Sequence, residues 1–172
     1  SVTKPVTGLV LGTLVGEGKV RGADQPVGDF VPAWREGAKA SLTLADLMTH
    51  TSGLGRSAMG SVALYFRRDA LAYAANKPLA HPPRTRWVYS NDGVMTLSGV
   101  VEAAAGRPLG AVARTNLFDP LCIIDATWAG DRRGHTFGQG DLALRPIDLA
   151  KLGQLTLDDG RWRGRQVVPT AW

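Results

Sequence analysis

The chain of 172 residues has a single cysteine, Cys122, so no internal disulfide can form. It also has no window approaching the roughly 20 consecutive apolar residues of a membrane-spanning helix, and no secretory leader is visible. Long runs of one charge are missing too. The formal net charge is +5, but the basic residues fall in short groups: Arg67-Arg68, Arg84 with Arg86, Arg132-Arg133, and Arg161 with Arg163 and Arg165. None is interleaved with several stacking aromatics, so they read as a solvated surface, and no nucleic-acid partner is expected. A hydrophobic content of 44% excludes a disordered chain and suffices for the core of one domain. Cys122 lies in the apolar run Leu121 to Ile124 and reads as a small buried hydrophobe rather than a nucleophile.

Apolar spacing predicts helices over most of the chain. Val2, Val6, Leu9, Val10 and Leu14 recur at three- and four-residue intervals across Ser1–Lys19, with Pro5 in the first turn and Gly18 as a stop. A short helix through His50 opens at Thr43, with Asp46 three residues on completing a capping-box pattern. Further helices are expected over Val62–Ala75, from Ser90 or Asn91 to Ala105, over Arg107–Leu117 and over Pro146–Leu157. Residues 22–37, 78–86 and 119–141 read as loops, and Arg161–Val168 as the start of a hairpin. There is no internal repeat.

Two short motifs carry chemistry. In Ser1-Val-Thr-Lys4 a serine and a lysine share one helix face at i, i+3. A serine hydroxyl becomes a nucleophile only if a neighbour takes its proton, which a lysine amine can do. The helix N-terminus adds free N–H groups that favour developing negative charge. In Tyr89-Ser-Asn91 a phenol stands at a loop-to-helix junction, where a nearby ammonium favours its ionised form and lets it accept and return a proton. Asn91 offers an amide for orienting a lysine or a substrate carbonyl. Each motif alone is also compatible with an exposed helix start, a half-buried aromatic and an N-cap. His50 reads as a structural hydrogen-bonding residue rather than the base of a Ser-His-Asp triad. His81 and His135 have no metal-like spacing with acids or cysteines, so no metal and no cofactor is expected.

The surrounding text strengthens the pairing. Leu42-Thr-Leu-Ala-Asp-Leu-Met-Thr-His-Thr-Ser-Gly-Leu54 resembles the "LLTHTSGL" segment of serine β-lactamase-like proteins, and Pro83-Arg-Thr-Arg-Trp-Val-Tyr-Ser-Asn91 resembles their "PGTRWxYSN". Phe118-Asp-Pro-Leu121 resembles "F.PLGM" with Cys122 in place of the glycine, Leu142 to Gly153 resembles "L.ST..DLARFG", and Gly160 to Trp172 resembles "G.W.G.Q.......W" with shorter spacing before the last tryptophan. Nearly the whole chain is covered, in order. The resemblance is to the superfamily of class C β-lactamases, D-alanyl-D-alanine peptidases and family VIII esterases; the Tyr-x-Asn form is closest to the class C and esterase branch.

The resemblance implies an α+β serine β-lactamase/transpeptidase-like fold. Residues 1–172 would form a partial domain: the nucleophile helix plus the helical region, without the N- and C-terminal sheet strands. It implies catalytic roles for Ser1, Lys4 and Tyr89, a substrate-orienting role for Asn91, and hydrolysis of an ester, amide or β-lactam through an acyl-enzyme, with an ester slightly favoured. The expected partners are a small-molecule ester or β-lactam and the remainder of the same domain. The family's third motif, Lys-Thr-Gly or His/Trp-x-Gly on an edge strand, is not found. Gly134-His-Thr-Phe-Gly138 has Phe before the glycine and precedes the "DLAKLG" helix, where that motif does not belong. Two alternatives stand beside this reading: a non-catalytic binding or structural module, and an N-terminal nucleophile using its own α-amine. The compartment is left open.

Overall fold

The computed structural model describes residues 2–55 and 60–172. Ser1, the proposed nucleophile, lies outside the described residues, as do residues 56–59. Among the described residues six α-helices form the framework: α1 (Thr3–Gly16), α2 (Leu44–Met48), α3 (Ala70–Ala75), α4 (Asn91–Ala105), α5 (Leu109–Ala113) and α6 (Pro146–Leu157). Two small antiparallel hairpins complete it. β1 (Thr127–Trp128) pairs with β2 (Leu142–Ala143), and β3 (Arg161–Trp162) with β4 (Arg165–Gln166). β1 arises inside the stretch 119–141 read from sequence as loop, and β2 directly follows it. Two-residue strands are too short to show an alternating pattern.

The centre of the molecule is α4. Every residue from Asp92 to Val101 is buried, because α1, α2, α3 and α5 all pack around it. Ser90 caps it, its Oγ accepting from the Gly93 N–H at 2.9 Å, and Gly106 ends it in the left-handed conformation. α1 contributes Val6, Val10, Leu11 and Leu14 to the same core. Gly12 lets the Trp172 and Val168 side chains lie directly on α1, where an added Cβ would collide with both, and the Trp172 Nε1–H donates to the Gly8 carbonyl at 3.0 Å. That contact brings the last residue of the chain onto the first helix.

Two expected helices are broken by their own sequence. The Val62–Ala75 segment is a 3₁₀ turn, Gly60–Phe66, followed by α3, because Asp69 prefers to cap: its Oδ1 accepts from the Ala72 N–H at 2.8 Å. The Arg107–Leu117 segment starts only after Pro108 and widens to π geometry over Arg114–Phe118. The capping box at Thr43 and Asp46 is present in both directions, and α6 spans the expected residues with Pro146 in its first turn.

Cys122 corrects the sequence reading. It is exposed, in the left-handed region at φ 52°, directly after the apolar Leu121. The turn aims its carbonyl at Lys151, whose Nζ donates to it at 2.8 Å. Cys122 and Arg84 (φ 65°) both stand where the resembled patterns carry glycine, so each is a side chain placed in a glycine conformation. Arg84 uses its side chain: Nε and Nη2 donate to the two carboxylate oxygens of Asp46 at 2.9 and 2.7 Å, tying the 83–91 segment to α2.

The fully buried Asp148 on α6 accepts from Arg145 Nε at 2.6 Å and Lys151 Nζ at 2.8 Å, and these two bonds hold its carboxyl down at about 2. A carboxyl depressed by folding adds stability above its ordinary value of 3.8, and that contribution is lost as pH falls toward about 2. Asp148→Asn should therefore lower the melting temperature at neutral pH and flatten its fall across that acidic window, read by calorimetry. Cys122→Gly should stabilise by up to ~1 kcal/mol, since the left-handed conformation costs a side chain about 1–2 kcal/mol and the thiol is exposed. Chemical denaturation checks the sign.

Candidate active site

Lys4 stands in the first turn of α1, half-buried. Its Nζ donates to the Gln139 carbonyl at 2.8 Å and lies 4.7 Å from the centroid of the Tyr89 ring. The neighbouring Gly138 carbonyl accepts from Thr7 Oγ1 at 2.7 Å, so the 138–139 strip is fastened along one face of α1 at two points. Gln139 belongs to the stretch read as loop. Its contribution is a backbone carbonyl, which no side-chain motif reveals.

Tyr89 reaches Lys4 because the segment carrying it is zipped onto the residues after α2. Residues 50–54 and 79–88 exchange backbone hydrogen bonds: Ala80 N–H to Gly53 O at 2.8 Å, Arg84 N–H to Thr51 O at 2.8 Å and Val88 N–H to His50 O at 2.9 Å. Gly53 takes φ 76°, and a Cβ there would strike the His81 carbonyl, so the turn requires glycine. His50 packs its ring on Tyr89, centroids 4.9 Å apart, and edge-on to Trp87 at 5.8 Å. Burial, together with the Lys4 ammonium, holds the His50 imidazole below its usual value.

Lys4, His50 and Tyr89, with Pro5, Met48 and Val94, border a cavity of about 380 Å³. Asn91 opens α4, and its side-chain carbonyl oxygen is shielded from solvent. Ser90 performs the capping that sequence could equally assign to Asn91. The structure thus brings Lys4 and Tyr89 together and sets Asn91 two residues after Tyr89, at the head of α4. Ser1, the expected nucleophile, lies outside the described residues.

A second phenol, Tyr65, was missed from sequence because it sat inside an expected helix. Its hydroxyl lies against Gly140, where any side chain would collide with it, and its ring meets Phe137 edge-on at 5.0 Å. Burial raises its pKa, and the negative charge of Asp141 and the nearby Tyr89 phenol add to the effect.

Among the described residues, one group has metal-ligand character: Asp69, Asp131 and His135 offer ligand atoms within 4.8 Å of one another, an association that spacing did not suggest. These atoms have structural work. Asp69 caps α3, Asp131 accepts from the N–H groups of Ala70, Arg133 and His135, and the His135 ring meets Glu102 at 2.8 Å. Together they tie the 131–135 turn to α3 and α4. Among the described residues no helix is long and apolar enough to cross a membrane.

The Beta-lactamase family pattern matches residues 1–159. The esterase EstB of Burkholderia gladioli is 34% identical over 144 residues, covering 73% of this chain and 36% of that protein. The 6-aminohexanoate-dimer hydrolase of Paenarthrobacter ureafaciens is 27% identical over 197 aligned residues, covering 100% of this chain and 48% of the relative. Among solved structures, the octameric penicillin-binding protein homologue of Pyrococcus abyssi superposes with a TM-score of 0.74 at 20% identity, covering 99% of this chain and 46% of that one. The chain therefore spans between a third and a half of the length of these curated relatives. Its largely helical framework is part of the β-lactamase/transpeptidase-like fold, and the chain belongs to the Beta-lactamase family.

Proposed function

We propose that this chain carries the nucleophile half of a serine hydrolase that works through an acyl-enzyme, with Ser1 acylated, Lys4 and Tyr89 moving its proton, and Asn91 orienting the substrate. The observation that carries the reading is the contact between the Lys4 ammonium and the Tyr89 ring, made by side chains from opposite parts of the chain at the end of α1 that Ser1 precedes. The Ser1 hydroxyl gives its proton to the Lys4–Tyr89 pair, and its oxygen bonds to the substrate carbonyl carbon. The tetrahedral intermediate collapses as the C–O or C–N bond breaks, and the pair returns the proton to the departing oxygen or nitrogen. Water, deprotonated by the same pair, then adds to the acyl carbon, the bond to the Ser1 oxygen breaks, and the pair returns the proton to that oxygen. The Ser1 backbone N–H would serve as one oxyanion donor.

An ester is favoured over a β-lactam, on the strength of the esterase relative at 34% identity. Residues 1–172 would act together with the remainder of a larger domain. The rival reading is a non-catalytic binding or structural module.

A fluorophosphonate probe on the folded protein separates the two; absence of labelling sinks the enzyme reading. Ser1→Ala should abolish acylation. Tyr89→Phe should slow it at least ~10²-fold, the scale of a positioned acid–base group, and near-normal turnover by that variant would remove Tyr89 from the mechanism. Faster turnover of p-nitrophenyl butyrate than of nitrocefin is the expected substrate order.

A further inference from the structure

Proposed chemistry leaves His50 without a part, yet His50 makes more contacts with the Tyr89 segment than any capping role needs. It follows α2 and its cap, Thr49, in the left-handed conformation at φ 62°, the helix-ending position that glycine fills at least cost. A side chain there is strained. The imidazole offsets it through three contacts. Its Nδ1 accepts from the Ser90 N–H at 3.3 Å, its ring packs on Tyr89, and it meets Trp87 edge-on. The His50 carbonyl accepts from the Val88 N–H at 2.9 Å as well. The backbone on each side of Tyr89 is thus held by one residue, once through its main chain and once through its ring.

We propose that His50 is a positioning residue for Tyr89: as a neutral ring with Nδ1 unprotonated, it fixes residues 88–90 so that the phenol faces Lys4. This rests on the reading of Tyr89 as a proton carrier for Ser1. An Nδ1 that accepts from an N–H cannot carry a proton, so the neutral ring holds its hydrogen on Nε2. Protonation puts a hydrogen on Nδ1, facing the Ser90 N–H. Two donors then oppose each other, and the bond is lost. The new cation also faces Lys4, the charged group that α1 presents to the ring. From the other elements, Tyr89 and Trp87 pack on the ring, and Met48 of α2 and Val94 and Leu97 of α4 line the same cavity; these three aliphatic side chains offer no compensating negative charge. The acid side of the activity profile is therefore set in part by His50, below the ordinary imidazole value of 6.5, because burial and Lys4 both oppose its charge.

The test compares the wild-type protein with His50→Asn and His50→Ala. Asparagine tolerates the left-handed conformation, places its Oδ1 close to where Nδ1 lies, and has no proton to gain. His50→Asn should keep kcat for p-nitrophenyl butyrate within a few-fold and extend activity to lower pH. His50→Ala should lose ~10²-fold in kcat with KM little changed, the cost of a displaced catalytic group. Wild-type kcat in a folded His50→Ala, or His50→Asn as slow as His50→Ala, would overturn the proposal. Nuclear magnetic resonance of the wild-type protein gives a second arm that needs no turnover. The Ser90 amide and the Tyr89 ring should shift with the His50 imidazole at one midpoint below 6.5, and stay still in His50→Asn; a His50 titration that leaves both unmoved would overturn it. Loss of Ser1 labelling in the wild type would instead defeat the hydrolase reading, while the resonance arm still decides whether His50 holds Tyr89.

Discussion

The Lys4 ammonium is gripped from two sides, by the carbonyl of Gln139 at 2.8 Å and by the face of Tyr89 at 4.7 Å. Three distant parts of the chain must arrive together for this to happen: the start of α1, the segment before α4, and the strip after β1. Most of the remaining structure can be understood as the means of bringing them there. A cation over an aromatic face gains only about 0.5–2 kcal/mol, too little to assemble three segments, so the position has to come from packing elsewhere.

That packing centres on α4. Its buried run from Asp92 to Val101 is clasped by four helices, and its N-terminus is fixed by the Ser90 cap, one residue after Tyr89. The segment leading to Tyr89 is fastened to α2 by the Arg84–Asp46 pair and to residues 50–54 by backbone bonds, while Asp46 also closes the capping box of α2. On the far side Asp148 gathers Arg145 and Lys151, and Lys151 reaches on to the Cys122 carbonyl, locking α6 to the turn after α5.

Local signals were legible where one residue decides a local structure. Thr43 with Asp46, Ser90 before α4, Gly106 after it, and Pro146 at the head of α6 all mark real boundaries. The Lys4–Tyr89 pairing followed from motif and resemblance together, and the structure brings those two residues into contact. What was not legible depends on tertiary partners. The Gln139 carbonyl that holds Lys4 has no side-chain signature, and Tyr65 fell within an expected helix, Val62–Ala75, that Asp69 in fact restarts. Cys122 looked buried because its neighbours are; the left-handed turn points it outward. The Asp69–Asp131–His135 group is likewise a product of folding, drawn from segments that spacing cannot relate.

The central claim is that Lys4 and Tyr89 are arranged around a nucleophile at Ser1. Peptide mapping by mass spectrometry after fluorophosphonate treatment tests it most directly. The account predicts a single adduct on Ser1 that is lost in a folded Lys4→Ala variant. An adduct on another residue, or one that forms on Ser1 equally fast without Lys4, would contradict it.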